Sequence, residues 1–309
     1  MKKLLGIIVL GLLLSGNAYA AGECIKGNCS NGYGTLSFDT ATLEGNFKDG
    51  KFHGVFRLFN KTQGRTYVLN LENGKATEFL IDEKSIKIDK SITSKKTLKI
   101  DVYAFILDVA DKPNNNFVEQ QIETSNRVWK QANIFWNLKS IELIKPGMTW
   151  NKYQSYYEKN CKPLKSCFYN LSKSKAEKIY KRIDKLVNIK KNKKNDGVNI
   201  FFLPDNIPWR NVANAMVREN PKKQFQTENE KYILLPYLRV YDGYLIENKS
   251  TLPHELGHIL NLTHVKKDFV NGVDNNSKRL MYSGTSGAYL EMYEINNSRE
   301  SAKTIFKIK

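Results

Sequence analysis

Three of the four histidines in this 309-residue chain fall within one short stretch, TLPHELGHILNLTHV (Thr251 to Val265): His254, His258 and His264. Histidine is scarce in the rest of the chain and lysine abundant, so the crowding does not follow from composition. On an α-helix, residues four apart project from nearly the same face, so His254 and His258 can grip one metal ion together. Glu255 follows His254 by one position and points beside such a metal rather than at it. A carboxylate placed there can take a proton from a metal-activated water. His264 lies six residues beyond His258, too far for the same helical turn. It meets the ion only if the chain leaves the helix and folds back, which calls for left-handed torsions near Asn261; glycine is the usual residue for that and asparagine the next best. The pattern predicts zinc on three neutral imidazoles with one coordination position open, and Glu255 as the general base. Thr251 or Ser250 can cap the helix, and Pro253 is tolerable in its first turn.

The elements that must position this stretch are legible as an α/β pattern over residues 98–309. "LKIDVYAFILDV" (Leu98 to Val109) alternates and ends apolar, as a buried strand does. An amphipathic helix is expected from about Asn115 to Ala132, with Phe117, Ile122, Val128, Trp129, Ala132 and Ile134 at roughly helical spacing. Leu138 to Ile144 reads as a second strand. After an irregular segment, a helix with Ala176, Ile179, Ile183, Leu186 and Val187 on one face presents lysines to solvent. Asp196 to Pro204 reads as a strand, "NVANAMV" as a short edge strand, and "KYILLPYLRV" as a further strand weakened by Pro236. Strands alternating with helices indicate a mixed, mostly parallel sheet.

Residues 21–80 have a different character. Asn31-Gly32, Asp49-Gly50 and Asn73-Gly74 recur about every twenty residues, each followed by a run of aromatic and β-branched residues, which predicts a small all-β array of hairpins. Residues 81–97 are polar and charged and read as a linker.

Two resemblances follow from these residues. H-E-L-G-H-I-L-N-L-T-H, with Met281 downstream in "KRLMYSG", resembles the H-E-x-x-H-x-x-G-x-x-H motif and methionine turn of the metzincin metallopeptidases, with Asn261 in place of the glycine. The resemblance spans about residues 98–305, including a last helix in "GAYLEMYEINNSRESAK". It implies a metzincin-like catalytic domain, an endopeptidase acting on protein or peptide substrates, and a specificity-pocket wall formed after the methionine by Tyr282, Ser283, Gly284 and the residues up to 288. Some relatives add a metal-contacting tyrosine two residues after the methionine; Ser283 stands there, so that contact is absent. A glutamate from a later helix, Glu291 or Glu294, is a competing third ligand. In the amino-terminal region, Leu43 to Phe59 resembles a MORN repeat, with a G-x-F-x-x-G-K-x-H-G core that makes His53 structural. Such repeats serve in contacts with proteins or lipids or in self-association.

The chain begins MKKLLGIIVLGLLLSGNAYA, a basic start, an apolar run and an A-x-A site, which predicts a signal peptide over residues 1–20 and a secreted or periplasmic protein. No other segment is apolar enough to span a membrane. The net charge of +18 rests on lysine rather than arginine, and no nucleic-acid-binding motif is present. A solvated lysine coat is expected, able at most to attract anionic surfaces through its Lys-rich face. Four cysteines form two close pairs, Cys24/Cys29 and Cys161/Cys167, which predicts two local disulfides in an oxidising compartment. An unpaired Cys24 or Cys29 is the alternative, with a thiolate that blocks the zinc as in some relatives. No loop carries a recognisable calcium pattern. The rival functional class is a binding or scaffold protein that works through its hairpin module and keeps a zinc site for stability alone, though such a site has no need of Glu255.

Overall fold

Local hairpin pairing organises the amino-terminal part of the chain, and strand–helix–strand crossover the rest. A computed structural model describes residues 22–62, 64–72, 75–108, 112–145, 192, 194, 196–203, 214–215, 232–236, 238–241, 244–248, 251–266, 269–270, 273–282 and 287–308. Residues 1–20, where a signal peptide is expected, Cys161 and Cys167, the segment expected to form a lysine-rich helix, most of "NVANAMV", and Ser283 and Gly284 lie outside the described residues. The chain divides into two compact units. One comprises Met1–Asp89, Arg239–Ser250 and Thr263–Ile295; the other comprises Lys90–Leu238, Thr251–Leu262 and Asn296–Lys309.

In the first unit, β1 (Glu23–Gly27), β2 (Gly32–Ser37), β3 (Ala41–Lys48), β4 (Lys51–Asn60), β5 (Arg65–Glu72) and β6 (Lys75–Leu80) each pair antiparallel with the next. The β3–β4 turn falls on Asp49-Gly50, whose φ angles of 49° and 70° are both positive. That is the torsion a tight hairpin needs to match strand twist. Alternation along β3 and β4 sends Leu43, Phe47, Phe52, Phe56 and Leu58 into one apolar cluster. Three of its rings pack pairwise, with centroids 5.2 Å (Phe47–Phe52), 5.3 Å (Phe47–Phe56) and 5.0 Å (Phe52–Phe56) apart. Gly45 is required beneath them, because a Cβ there would come within 2.6 Å of the Phe56 ring. Cys24 and Cys29 form a disulfide, and no cysteine among the described residues is free, so neither offers a thiolate to a metal. His53 is exposed.

The second unit holds a five-stranded sheet in the order β10-β11-β9-β7-β8. Its strands are β7 (Leu98–Leu107), β8 (Ile134–Ile144), β9 (Val198–Leu203), β10 (Asn214–Ala215) and β11 (Tyr232–Pro236), and all neighbours are parallel except the edge pair β10–β11. Every residue of β9 is buried, as expected of an inner parallel strand covered on both faces. Helix α1 (Asn115–Trp129) connects β7 to β8. Asn114 caps it by accepting from the Phe117 N–H at 2.9 Å, and Asn133, at φ 50°, ends the 3-10 turn that follows. Strand β8 starts at Ile134, four residues before the expected Leu138.

"KYILLPYLRV" is two strands rather than one. Pro236 is the last residue of β11, and β12 (Leu238–Tyr241) joins the other sheet. There β12 and β13 (Tyr244–Asn248) extend the hairpin sheet to eight strands, β1-β2-β3-β4-β5-β6-β13-β12, with β13 parallel to β6. Among the described residues, helix α2 (Thr251–Ile259), the short pair β14 (Phe269–Val270) and β15 (Val273–Asp274), a 3-10 turn (Asn275–Lys278) and helix α3 (Met292–Phe306) follow. From α3, the buried Arg299 donates to the carbonyls of Ala132 (2.7 Å), Asn133 (3.2 Å) and Lys96 (2.9 Å).

Candidate metal site

Helix α2 carries the first two histidines. Its Leu252, Leu256 and Ile259 are buried, while His254 and His258 are half-buried on another face. Their rings lie 4.9 Å apart, nearly perpendicular, as same-face neighbours one turn apart should. The first turn of α2 is tied to α1 by the buried Trp129 indole, which donates to the Pro253 carbonyl at 3.0 Å. Glu255 is 5% exposed, beside His254 on the same helix.

The exit from α2 decides where the third histidine goes. The Leu262 N–H bonds to the Gly257 carbonyl at 2.9 Å, the Asn261 N–H bonds to the His258 carbonyl at 3.0 Å, and Asn261 has φ 61°. This is the Schellman termination, with a left-handed residue just past the helix end. Asparagine takes the place glycine usually fills, because its short polar side chain tolerates that torsion. The same turn orients the His258 ring. His258 Nδ1 lies 2.8 Å from the Leu262 carbonyl; a carbonyl can only accept, so Nδ1 carries the proton and Nε2 keeps its lone pair for a metal.

The chain reversal brings His264 back to the pair. Each of His254, His258 and His264 offers one ligand atom, and these atoms all lie within 4.8 Å of one another. Nitrogens bound at zinc distances on a tetrahedron would stand about 3.3 Å apart, a separation inside that limit. The donor set therefore fits a borderline-soft divalent ion that prefers imidazole. Glu291 and Glu294 are engaged elsewhere. Glu291 accepts from the Tyr289 hydroxyl at 3.3 Å, and Glu294 accepts from the Glu291 N–H at 2.8 Å and pairs with Arg279 at 3.0 Å. Burial pushes the Glu294 carboxyl above its ordinary pKa, against the opposing pull of the Glu291 N–H and of Arg279.

Met281 is fully buried, and its carbonyl accepts from the Val265 N–H at 3.1 Å. Tyr282 is buried as well. Spacing arguments single out Met281, and Glu294 only as a rival ligand; they give no notice of Asn276 or Arg279, nor of the pairing of Arg279 with Glu294. Nothing in residue type or interval marks an arginine as buried in a chain so rich in basic side chains. Among the described residues, no helix is long and apolar enough to cross a membrane.

No protein-family model matches the chain, and no curated protein does. Among solved structures, that of metalloproteinase-II from Bacteroides fragilis is similar: 12% identical over 89% of this chain and 80% of that one, with a TM-score of 0.33. The likeness is distant, and what bears on function is the three-histidine cluster itself.

Proposed function

We propose that the chain is an exported, zinc-dependent endopeptidase of metzincin type. The observation that carries this reading is the convergence of three imidazole donors within 4.8 Å, with the buried Glu255 next to one of them in sequence. His254, His258 and His264 would hold the ion, His258 through Nε2. When bound, zinc supplies a Lewis acid that lowers the pKa of water to about 7 and polarises a carbonyl. Glu255 takes the proton of the attacking water and hands it to the leaving amine as the peptide bond breaks. Met281, Tyr282, Ser283 and Gly284 take the methionine-turn and pocket-wall roles by resemblance. The MORN-like hairpins fit a contact module for a protein or an anionic surface. Export rests on the basic, apolar and A-x-A order of residues 1–20 and is consistent with the Cys24–Cys29 disulfide.

The test compares the parent with Glu255→Gln for zinc content and for cleavage of a broad peptide library. The variant should keep one zinc per chain and lose cleavage by about 100- to 10,000-fold, the usual worth of a general base. Equal cleavage by the two proteins refutes the assignment of Glu255. A parent at full zinc occupancy that cleaves nothing points to the binding-protein class.

A further inference from the structure

His254 and His258 are held by a helix, but His264 sits in a segment that is neither helix nor strand. Something else must fix its backbone. Two hydrogen bonds do so just downstream: the Val265 N–H donates to the Met281 carbonyl at 3.1 Å, and the Asn276 side-chain amide donates to the Lys266 carbonyl at 2.8 Å. Both anchoring groups belong to one short stretch, the 3-10 turn Asn275–Lys278 and the bend after it. Arg279 lies between them and is bonded to both sides. Its N–H donates to the Asn276 carbonyl at 3.0 Å, its carbonyl accepts from the Tyr282 N–H at 3.1 Å, and its Nη1 reaches Asn276 Oδ1 at 3.3 Å.

The guanidinium is itself held. Nη2 pairs with Glu294 Oε1 at 3.0 Å, with side chains 11% and 3% exposed, and also donates to the Tyr293 hydroxyl. The other Glu294 oxygen accepts from the Glu291 N–H at 2.8 Å, the reach-back of a third-position glutamate to the residue before a helix. Arginine suits this place because its planar fork bonds in several directions at once, whereas lysine is a point charge.

We propose that Arg279 is a positioning residue for the third metal ligand, fixing the His264–Lys266 segment through Asn276 and the Met281 carbonyl. The inference rests on the three-histidine metal reading above and adds what orders the member that no helix carries. Arg279 touches neither metal nor substrate; it lowers the conformational cost of bringing His264 to the ion.

The test measures zinc affinity of the full chain by chelator competition, with the cobalt-substituted absorption spectrum as a second readout. Arg279→Met and Asn276→Ala should each weaken zinc binding by about 10- to 100-fold, the range seen when outer partners of metal ligands are removed. Their cobalt spectra should move toward that of His264→Ala, a change that a purely stabilising role does not produce. Arg279→Lys should recover only part of the affinity. If Arg279→Met does not fold, Asn276→Ala decides, since it leaves the buried ion pair intact. Folded variants with affinity within threefold of the parent and an unchanged cobalt spectrum overturn the proposal. A parent that takes up no zinc overturns both readings. A parent that binds zinc but cleaves nothing overturns only the peptidase, because the role of Arg279 is scored on affinity.

Discussion

Asn261 departs from the glycine of the motif it resembles, and its φ of 61° explains why the departure is tolerated. Asn261→Gly should leave stability and zinc affinity unchanged within a few tenths of a kcal/mol, since glycine reaches this torsion freely. Asn261→Ala should cost about 1–2 kcal/mol, the penalty for a Cβ in the left-handed region, and should weaken zinc binding as His264 loses its fixed turn. Urea unfolding and chelator competition on both variants check this; an alanine variant equal to the glycine one would refute it. At this scale the sequence was informative wherever residue type is rare or geometrically demanding. Histidines at helical spacing and an asparagine at a helix end could be read directly. Asn276 and Arg279 could not, and Glu294 reads as a rival ligand rather than as the partner of Arg279, because that partnership depends on burial and on a fold-back that no interval encodes.

Among the elements, those with a strong period matched their expected places: β7 and β9 as apolar runs, α1 as an amphipathic helix capped by Asn114. Strand β8 began earlier than expected because Ile134 continues the apolar spacing of the helix, whereas its pairing with Leu98 of β7 places it in the strand. The break at Pro236 could be suspected, but not that the two pieces enter different sheets. Helix α3 owes much of its attachment to Arg299, which gives three hydrogen bonds to carbonyls while buried. Burial lowers the pKa of its guanidinium, so these bonds carry the cost of keeping the charge inside. Arg299→Met keeps most of the volume but removes the donor to the Ala132 and Lys96 carbonyls, while the Asn133 carbonyl keeps the Leu98 N–H at 3.1 Å. At about 1–3 kcal/mol per stranded polar group, tempered by relaxation, it should destabilise the chain by roughly 3 kcal/mol. A urea midpoint matching the parent would refute that accounting.

At the scale of the whole molecule, the hairpins and the crossover sheet were each readable from local pattern, whereas the membership of β12 and β13 in the hairpin sheet was not. Parallel pairing of β13 with β6 joins residues far apart in sequence, and no turn signal announces it. That pairing imposes an order of assembly. Strands β1 to β5 close through nearest-neighbour turns, contacts that form fast because little chain must be gathered. Strand β6 ends at Leu80 and its partner begins at Tyr244, so at roughly 5–20 residues per second a ribosome leaves that edge bare for on the order of ten seconds or more. An open strand edge is a template for foreign strands, and it stays one until the segment leading into the histidine helix arrives. Pulse-labelled hydrogen exchange during refolding should accordingly protect amides of β2 to β5 before those of β13, and simultaneous protection would refute the order. A chain stalled before Tyr244 would carry its adhesive edge while still lacking all three histidines of the candidate metal site.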